Sequence, residues 1–437
     1  MPSDLPVTGN TEHTRPENRT SYPALDGLRA IAVLMVFGQH YLGLRWGWTG
    51  VDIFFVLSGF LITGILYDTR NDKRRVRRFY IRRMLRIFPL YYAVMLAVLL
   101  TWPIIHWHLS LSWLVWPTYV GNFARFVHPY VLLSPLQQLA DFQPTGSFHN
   151  ATVKLYLGHF WSLCIEEQFY FVWPWLVFWV NNRRKLLWVC AAMLPIELSL
   201  RFLAEGCAPA WMLQNELLYR VTFFRLDSLL LGGLLALVLR GPAREALLRW
   251  SRRLLAVVVT AFVIIVFVSS MRNGQNVDKD TVGLALGELL KHHEFTWRLT
   301  LIDCVAALVV VAAIQPGTLI YRCLHIYPLR WLGRISYGFY VLHDIWHYQI
   351  SSWLRSRGVT DSHAMPWNFT MTAMIALFLT TITAWLSFRF FESPFLELKE
   401  RWASARITSE PPQRAAEPCG VIEHLIDPVE IGGRDRR

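Results

Sequence analysis

Apolar runs of membrane length recur along almost the whole chain, and they constrain its fold more than any short motif does. Leu254 to Val268 carries one polar side chain, Thr260, and Val305 to Ile314 carries none. A helix needs about 20 predominantly apolar residues to cross a bilayer. Segments near 27–44, 50–67, 86–102, 160–180, 186–203, 222–239, 254–270, 298–315, 335–354 and 368–390 read as such spans. The expectation is an all-α polytopic membrane protein with about ten transmembrane helices. Composition agrees, since 54% of the 437 residues are hydrophobic and 17% charged, more apolar surface than a soluble core hides. The stretch 109–124 is short and interrupted by Pro117, which fits a re-entrant or interfacial piece better than a span.

The basic residues give the orientation. The net charge is +12, yet Lys and Arg concentrate in short segments between apolar runs, at 68–86, 181–185, 240–253 and 321–334. The alternate segments 41–50, 204–221 and 271–297 hold few, so the positive-inside rule puts the basic loops and both termini in the cytoplasm. That distribution argues against nucleic acid as a partner. The six cysteines form no CxxC pair and read as packing residues, with neither a metal site nor a disulfide framework indicated. One membrane domain is expected over 23–396, between polar tails 1–22 and 397–437. The first tail lacks an apolar signal core, so the first span is expected to serve as an uncleaved anchor.

Ionisable side chains inside spans are costly and mark function by default. Arg29 lies near the inner end of the first span and His40 toward its outer end. Eleven residues are close to three helical turns, so both project from one face, roughly 16 Å apart along the axis. Asp52 begins the second span from the outside, and Glu166 and Glu167 begin the fourth, at a depth similar to that of His40. A carboxylate there can orient the imidazole and raise its basicity. Arg83 and Arg86, three apart at the start of the third span, are level with Arg29 and suit a polyanionic phosphate group. Phosphates at the inner face and a reactive group on a long thin arm describe acyl-coenzyme A.

Plainer readings stand beside these. Arg83 and Arg86 are two of nine basic residues in 68–86 and can serve topology alone. Asp52 can pair with Arg45 or cap its helix, and Glu166 and Glu167 can be solvated. His106 and His108 lack a third ligand at metal spacing, and Ser58 fits packing through small residues. A glycan transporter or flippase would also place charges at mid-membrane, but it needs no inner arginine group, and no inverted repeat is visible.

Several ordered strings then resemble the acyltransferase family 3 of membrane acyltransferases, from about Tyr22 to Pro394. They are YPALDGLRAIAVLMVFGQH, GVDIFFVLSGFLI, FYIRRMLRIFPLYY, HFWSLCIEEQFYFVWP, FRLDSLLLGGLLA, LGRISYGFYVLH and FFESPF. The resemblance implies transfer of an acyl group, commonly acetyl, from cytoplasmic acyl-CoA to a hydroxyl of a carbohydrate or a lipid-linked acceptor, in the inner membrane and without a metal. It implies His40 as general base or transient acyl carrier, with Arg29, Arg83 and Arg86 handling the CoA phosphates. Glu166 and Glu167 match the family's acidic pair. Asp26, Arg225, Asp227, Tyr337 and His343 fall on its other motifs. Where many relatives have a different pair before the histidine this chain has Gly38 and Gln39, which bears on pocket shape. Some relatives carry an esterase-like domain after the last span, and only polar residues follow here. The acceptor is therefore expected to reach the membrane domain directly, which favours a lipo-oligosaccharide, lipid-linked glycan or glycosylated metabolite over peptidoglycan.

Overall fold

The computed structural model describes residues 22–107, 111–123, 126, 145–148, 151–209, 212–213, 216–272, 294–357 and 366–404. Both polar tails as far as 1–21 and 405–437, His108, Cys419 and most of the outer segment 271–297 lie outside the described residues.

Helices dominate, as the apolar runs require. In chain order the main ones are α1 (Pro23–Leu42), α2 (Thr49–Asp68), α3 (Arg75–Leu100), α4 (Trp161–Val180), α5 (Arg183–Cys207), α6 (Leu226–Val238), α7 (Arg244–Arg272), α8 (Glu294–Ala313), α9 (Tyr327–Arg334), α10 (Ser336–Leu342), α11 (Ile345–Ser356), α12 (Pro366–Leu386) and α13 (Ser393–Ser404). Among the described residues, five stretches are long and apolar enough to cross a membrane: Thr49–Asp68, Arg75–Leu100, Arg183–Cys207, Phe295–Ala313 and Thr370–Leu398. α1 and α4 are 20 residues each but hold Arg29 and His40, and Glu166 and Glu167, within their length. The side chains that lower their apolarity are the candidate site residues themselves. Proline at the first turn starts α1, and Gly43 in the left-handed region, φ 63°, ends it.

Residues 111–115 and 121–123 form 3-10 turns rather than a membrane-length helix, in keeping with the expected re-entrant or interfacial piece. Three of its backbone carbonyls accept hydrogen bonds from side chains of neighbouring helices. The Tyr91 and Tyr92 hydroxyls donate to the Trp116 and Pro117 carbonyls at 2.7 and 2.9 Å, and Gln168 Nε2 donates to the Tyr119 carbonyl at 2.8 Å. A small correction to the all-α expectation follows in the outer connection. There β1 (Thr145–Phe148) and β2 (Ala151–Lys154) pair antiparallel with Thr145 opposite Lys154. The segment lies outside every apolar run, where Thr, Val and Phe favour a pleated hairpin.

Packing brings the helices together through small residues, as is usual where lipid supplies no hydrophobic contrast. A Cβ on Gly59 of α2 would stand 1.8 Å from the Leu229 carbonyl oxygen of α6, and one on Gly232 would stand 2.1 Å from the Val56 oxygen. These two backbones touch, which only glycine permits. Phe37, Phe55, Tyr91, Phe160 and Phe339 belong to one buried cluster, and Leu28, Val56, Phe60, Ala306 and Val310 to a second beside it. Phe171, Trp175, Trp179 and Trp188 stay exposed on α4 and α5. An aromatic surface of that extent suits lipid contact.

Candidate active site

Arg29 of α1 and Arg83 and Arg86 of α3 line one cavity, together with Ser58, Glu166 and Tyr337. The three arginines that the sequence placed at one depth are thus brought to one space. Arg83 is held from three sides: its guanidinium lies 3.8 Å over the Tyr170 ring, with Nη2 3.8 Å from Glu166 Oε2 and Nε 4.0 Å from Glu167 Oε1. Ser58 Oγ donates to Glu166 Oε1 at 2.7 Å. Arg29 donates to Asp26 at 3.2 Å, one turn away on the same helix. Tyr337 reaches α3 through its hydroxyl, which donates to the Ile87 carbonyl at 2.6 Å.

Ser162 and Tyr340 also line the cavity, and they join it to a cluster of histidines. Ser162 precedes Glu166 by one turn of α4, away from Arg83. Its Oγ lies 2.6 Å from the Tyr340 hydroxyl, which donates to the His159 carbonyl at 2.8 Å. His40 from the end of α1, His159 ahead of α4, and His343 and His347 around the junction of α10 and α11 meet there. His40 Nδ1 lies 3.0 Å from His343 Nε2. Asp344 sits among them, with Oδ2 3.7 Å from both His40 Nδ1 and His159 Nδ1 and Oδ1 3.4 Å from His347 Nδ1. The His40 side chain is 28% exposed, whereas His343 is fully buried. Among the described residues, no group of three or more His, Cys, Asp or Glu is arranged to hold a metal ion.

Two expected contacts are replaced by others. Glu166 and Glu167 lie with Arg83 instead of His40, so they share the level of the arginines and not the one expected for them. Asp52, expected beside the imidazole, is fully buried against Arg225, and Arg45 is not its partner. The same interior region contains Arg201, which donates to Asp227 and lies 3.8 Å from Glu197. Arg225 and Asp227 therefore belong to a buried charge network joining α2, α5 and α6, apart from the cavity. The close approach at Gly59 draws the start of α6 onto α2 and so sets Arg225 against Asp52.

The carboxylate that does face His40, Asp344, was absent from the sequence expectations, as were His159 and His347. A signal existed in the string LHDIWH, which puts His343, Asp344 and His347 within five consecutive residues at a helix junction.

Comparison with known proteins agrees with the strings quoted above. A family model described as an acyltransferase domain matches residues 22–389. The chain is 28% identical over 401 residues to the peptidoglycan O-acetyltransferase OatA of Listeria monocytogenes, covering 86% of this chain and 56% of that one. It is 28% identical over 403 residues to the putative peptidoglycan O-acetyltransferase YrhL of Bacillus subtilis, covering 88% and 56%. It is 26% identical over 398 residues to the O-acetyltransferase OatA of Staphylococcus aureus, covering 85% and 57%. The chain thus spans little more than half the length of these curated relatives. No solved structure matches it.

Proposed function

The chain belongs to acyltransferase family 3, and on that footing we propose that it is a membrane O-acyltransferase. It moves an acyl group, most simply acetyl, from acyl-CoA on the cytoplasmic side to a hydroxyl of a carbohydrate acceptor. The observation that carries this reading is the single cavity with three guanidiniums on its wall and, through Ser162 and Tyr340, the histidine cluster behind it. The relatives named for O-acetyl transfer to peptidoglycan support a glycan hydroxyl as acceptor, with a lipid-linked glycan or glycosylated metabolite as the smaller alternatives.

In this proposal Arg29, Arg83 and Arg86 bind the phosphates, for which planar guanidinium forks are suited. Glu166 and Glu167 act through Arg83, holding it against the Tyr170 face so that its charge is fixed in direction. The substrate thioester supplies an activated acyl carbon. His40 takes the proton from the acceptor hydroxyl as that oxygen bonds to the acyl carbon. The carbon–sulfur bond breaks, and the proton passes from the imidazolium to the departing thiolate. Asp344, 3.7 Å from His40 Nδ1, favours the imidazolium while it exists. Asp52, Arg225 and Asp227 have structural roles.

The ten-span arrangement with both termini cytoplasmic, a membrane domain over 23–396 and an inner-membrane location complete the proposal. It puts the arginines on the cytoplasmic side and His40 toward the outer side, where the acceptor approaches. The test is transfer of radiolabel from acetyl-CoA to a glycan acceptor by purified protein in detergent, where no gradient exists for a transporter to use. His40→Ala should abolish transfer while the protein still inserts. A variant that keeps near-wild-type rate would sink the assignment.

A further inference from the structure

We propose that His343 is a positioning residue that fixes the tautomer of His40, leaving the lone pair of His40 on Nε2 for the acceptor proton. This rests on the reading of His40 as the base. α10 ends at Leu342, so the Tyr340 carbonyl is among its last four, groups that a helix leaves without an amide partner. His343 Nδ1 lies 2.6 Å from that carbonyl oxygen. A carbonyl only accepts, so Nδ1 carries the hydrogen. In the neutral ring Nε2 then has a lone pair and no hydrogen. His40 Nδ1 is 3.0 Å from that nitrogen, a hydrogen-bond distance, and the two ring centroids are 5.0 Å apart. His40 Nδ1 is therefore the donor.

Asp344 Oδ2 does not compete for that hydrogen, because 3.7 Å is beyond hydrogen-bond reach. The opposite order, with His343 doubly protonated and donating to His40, would place a cation on a ring with no exposed surface. It would also put the hydrogen of neutral His40 on Nε2 and remove its basicity there. The chain from carbonyl to imidazole to imidazole thus performs the orienting function that a carboxylate performs behind many catalytic histidines. Burial separates the two roles: His343 is sealed, and His40 is partly open.

The experiment compares kinetics of His343→Asn and His343→Gln with those of His40→Ala, and reads the imidazole nitrogens of wild type by 15N NMR of histidine-labelled protein. The His40 signals are those lost in His40→Ala. His343→Asn keeps a donor toward the Tyr340 carbonyl but has no acceptor in reach of His40, and should lower kcat by about 100-fold or more with the KM for acetyl-CoA unchanged. His343→Gln presents a side-chain oxygen near the Nε2 position and should recover part of the loss. In wild type, a protonated Nδ1 and bare Nε2 on His40 support the proposal, and the reverse pattern overturns it even where a variant does not fold. Wild-type kcat in His343→Asn beside an inactive His40→Ala overturns the role of His343 alone. An active His40→Ala overturns the reading beneath it.

Discussion

Replacing Asp52 by asparagine should unfold the bundle before it affects chemistry. Asp52 and Arg225 are both fully buried, and the Arg225 guanidinium donates to the Asp52 carboxylate. Removing one partner of a buried pair typically costs about 3–5 kcal/mol, which is about two to three and a half decades in the folding equilibrium, and the buried Asp303, which also attracts Arg225, sets the loss toward the lower figure. Replacing both, with Asp52→Leu and Arg225→Met, removes the charges together and should be near neutral or stabilising. The assay can use the protein's own thiols. Cys164 and Cys190 are buried while Cys207 and Cys323 are exposed, so the heat-dependent gain in reaction with a fluorogenic maleimide in detergent reports opening over a constant baseline. Asp52→Asn should lower the midpoint well below wild type and the double variant should restore it, with kcat per folded molecule unchanged in both. An Asp52→Asn protein that keeps its midpoint yet loses kcat would refute the reasoning and return Asp52 to the reaction.

Two further outcomes follow from the geometry. Arg83→Ala should raise the KM for acetyl-CoA and lower the thermal midpoint less than Asp52→Asn does, since Arg83 and its two carboxylates are partly exposed, and Arg83→Lys should not restore the KM, because an ammonium cannot both lie flat on Tyr170 and reach two carboxylates. Equal donor affinity in Arg83→Ala, by titration calorimetry, would leave Arg83 a topology residue. Gly59→Ala should prevent α2 and α6 from meeting, since the added methyl would lie 1.8 Å from the Leu229 oxygen. The measurement is yield of folded protein by fluorescence-detected size-exclusion chromatography, and wild-type yield would mean that the interface can part there.

Counting residues from span ends grouped Arg29, Arg83 and Arg86, which share one cavity, and it misjudged the carboxylates, two of which lie against Arg83. The same count placed Asp52, Glu166 and Glu167 level with His40, but which neighbour each meets depends on how helices rotate and approach. That is decided by contacts such as Gly59 on Leu229, which periodicity within one helix does not encode. The 3-10 segment was readable because Pro117 and its short length leave little else. Asp344 escaped notice because a polar residue at a helix junction reads as a cap or turn, and only the folded junction of α10 and α11 turns it toward three imidazoles.

Arg29 and His40 ride on a single uninterrupted helix, Pro23–Leu42, and α1 is therefore a ruler with both marks cut into it. Substitutions between the marks leave the scale alone. Adding or deleting one residue shifts the far mark by about 1.5 Å and also swings it about 100° around the axis, taking His40 away from His343 altogether. Ten residues between arginine and histidine is thus a fixed gauge, one that tolerates drift in letters but none in count.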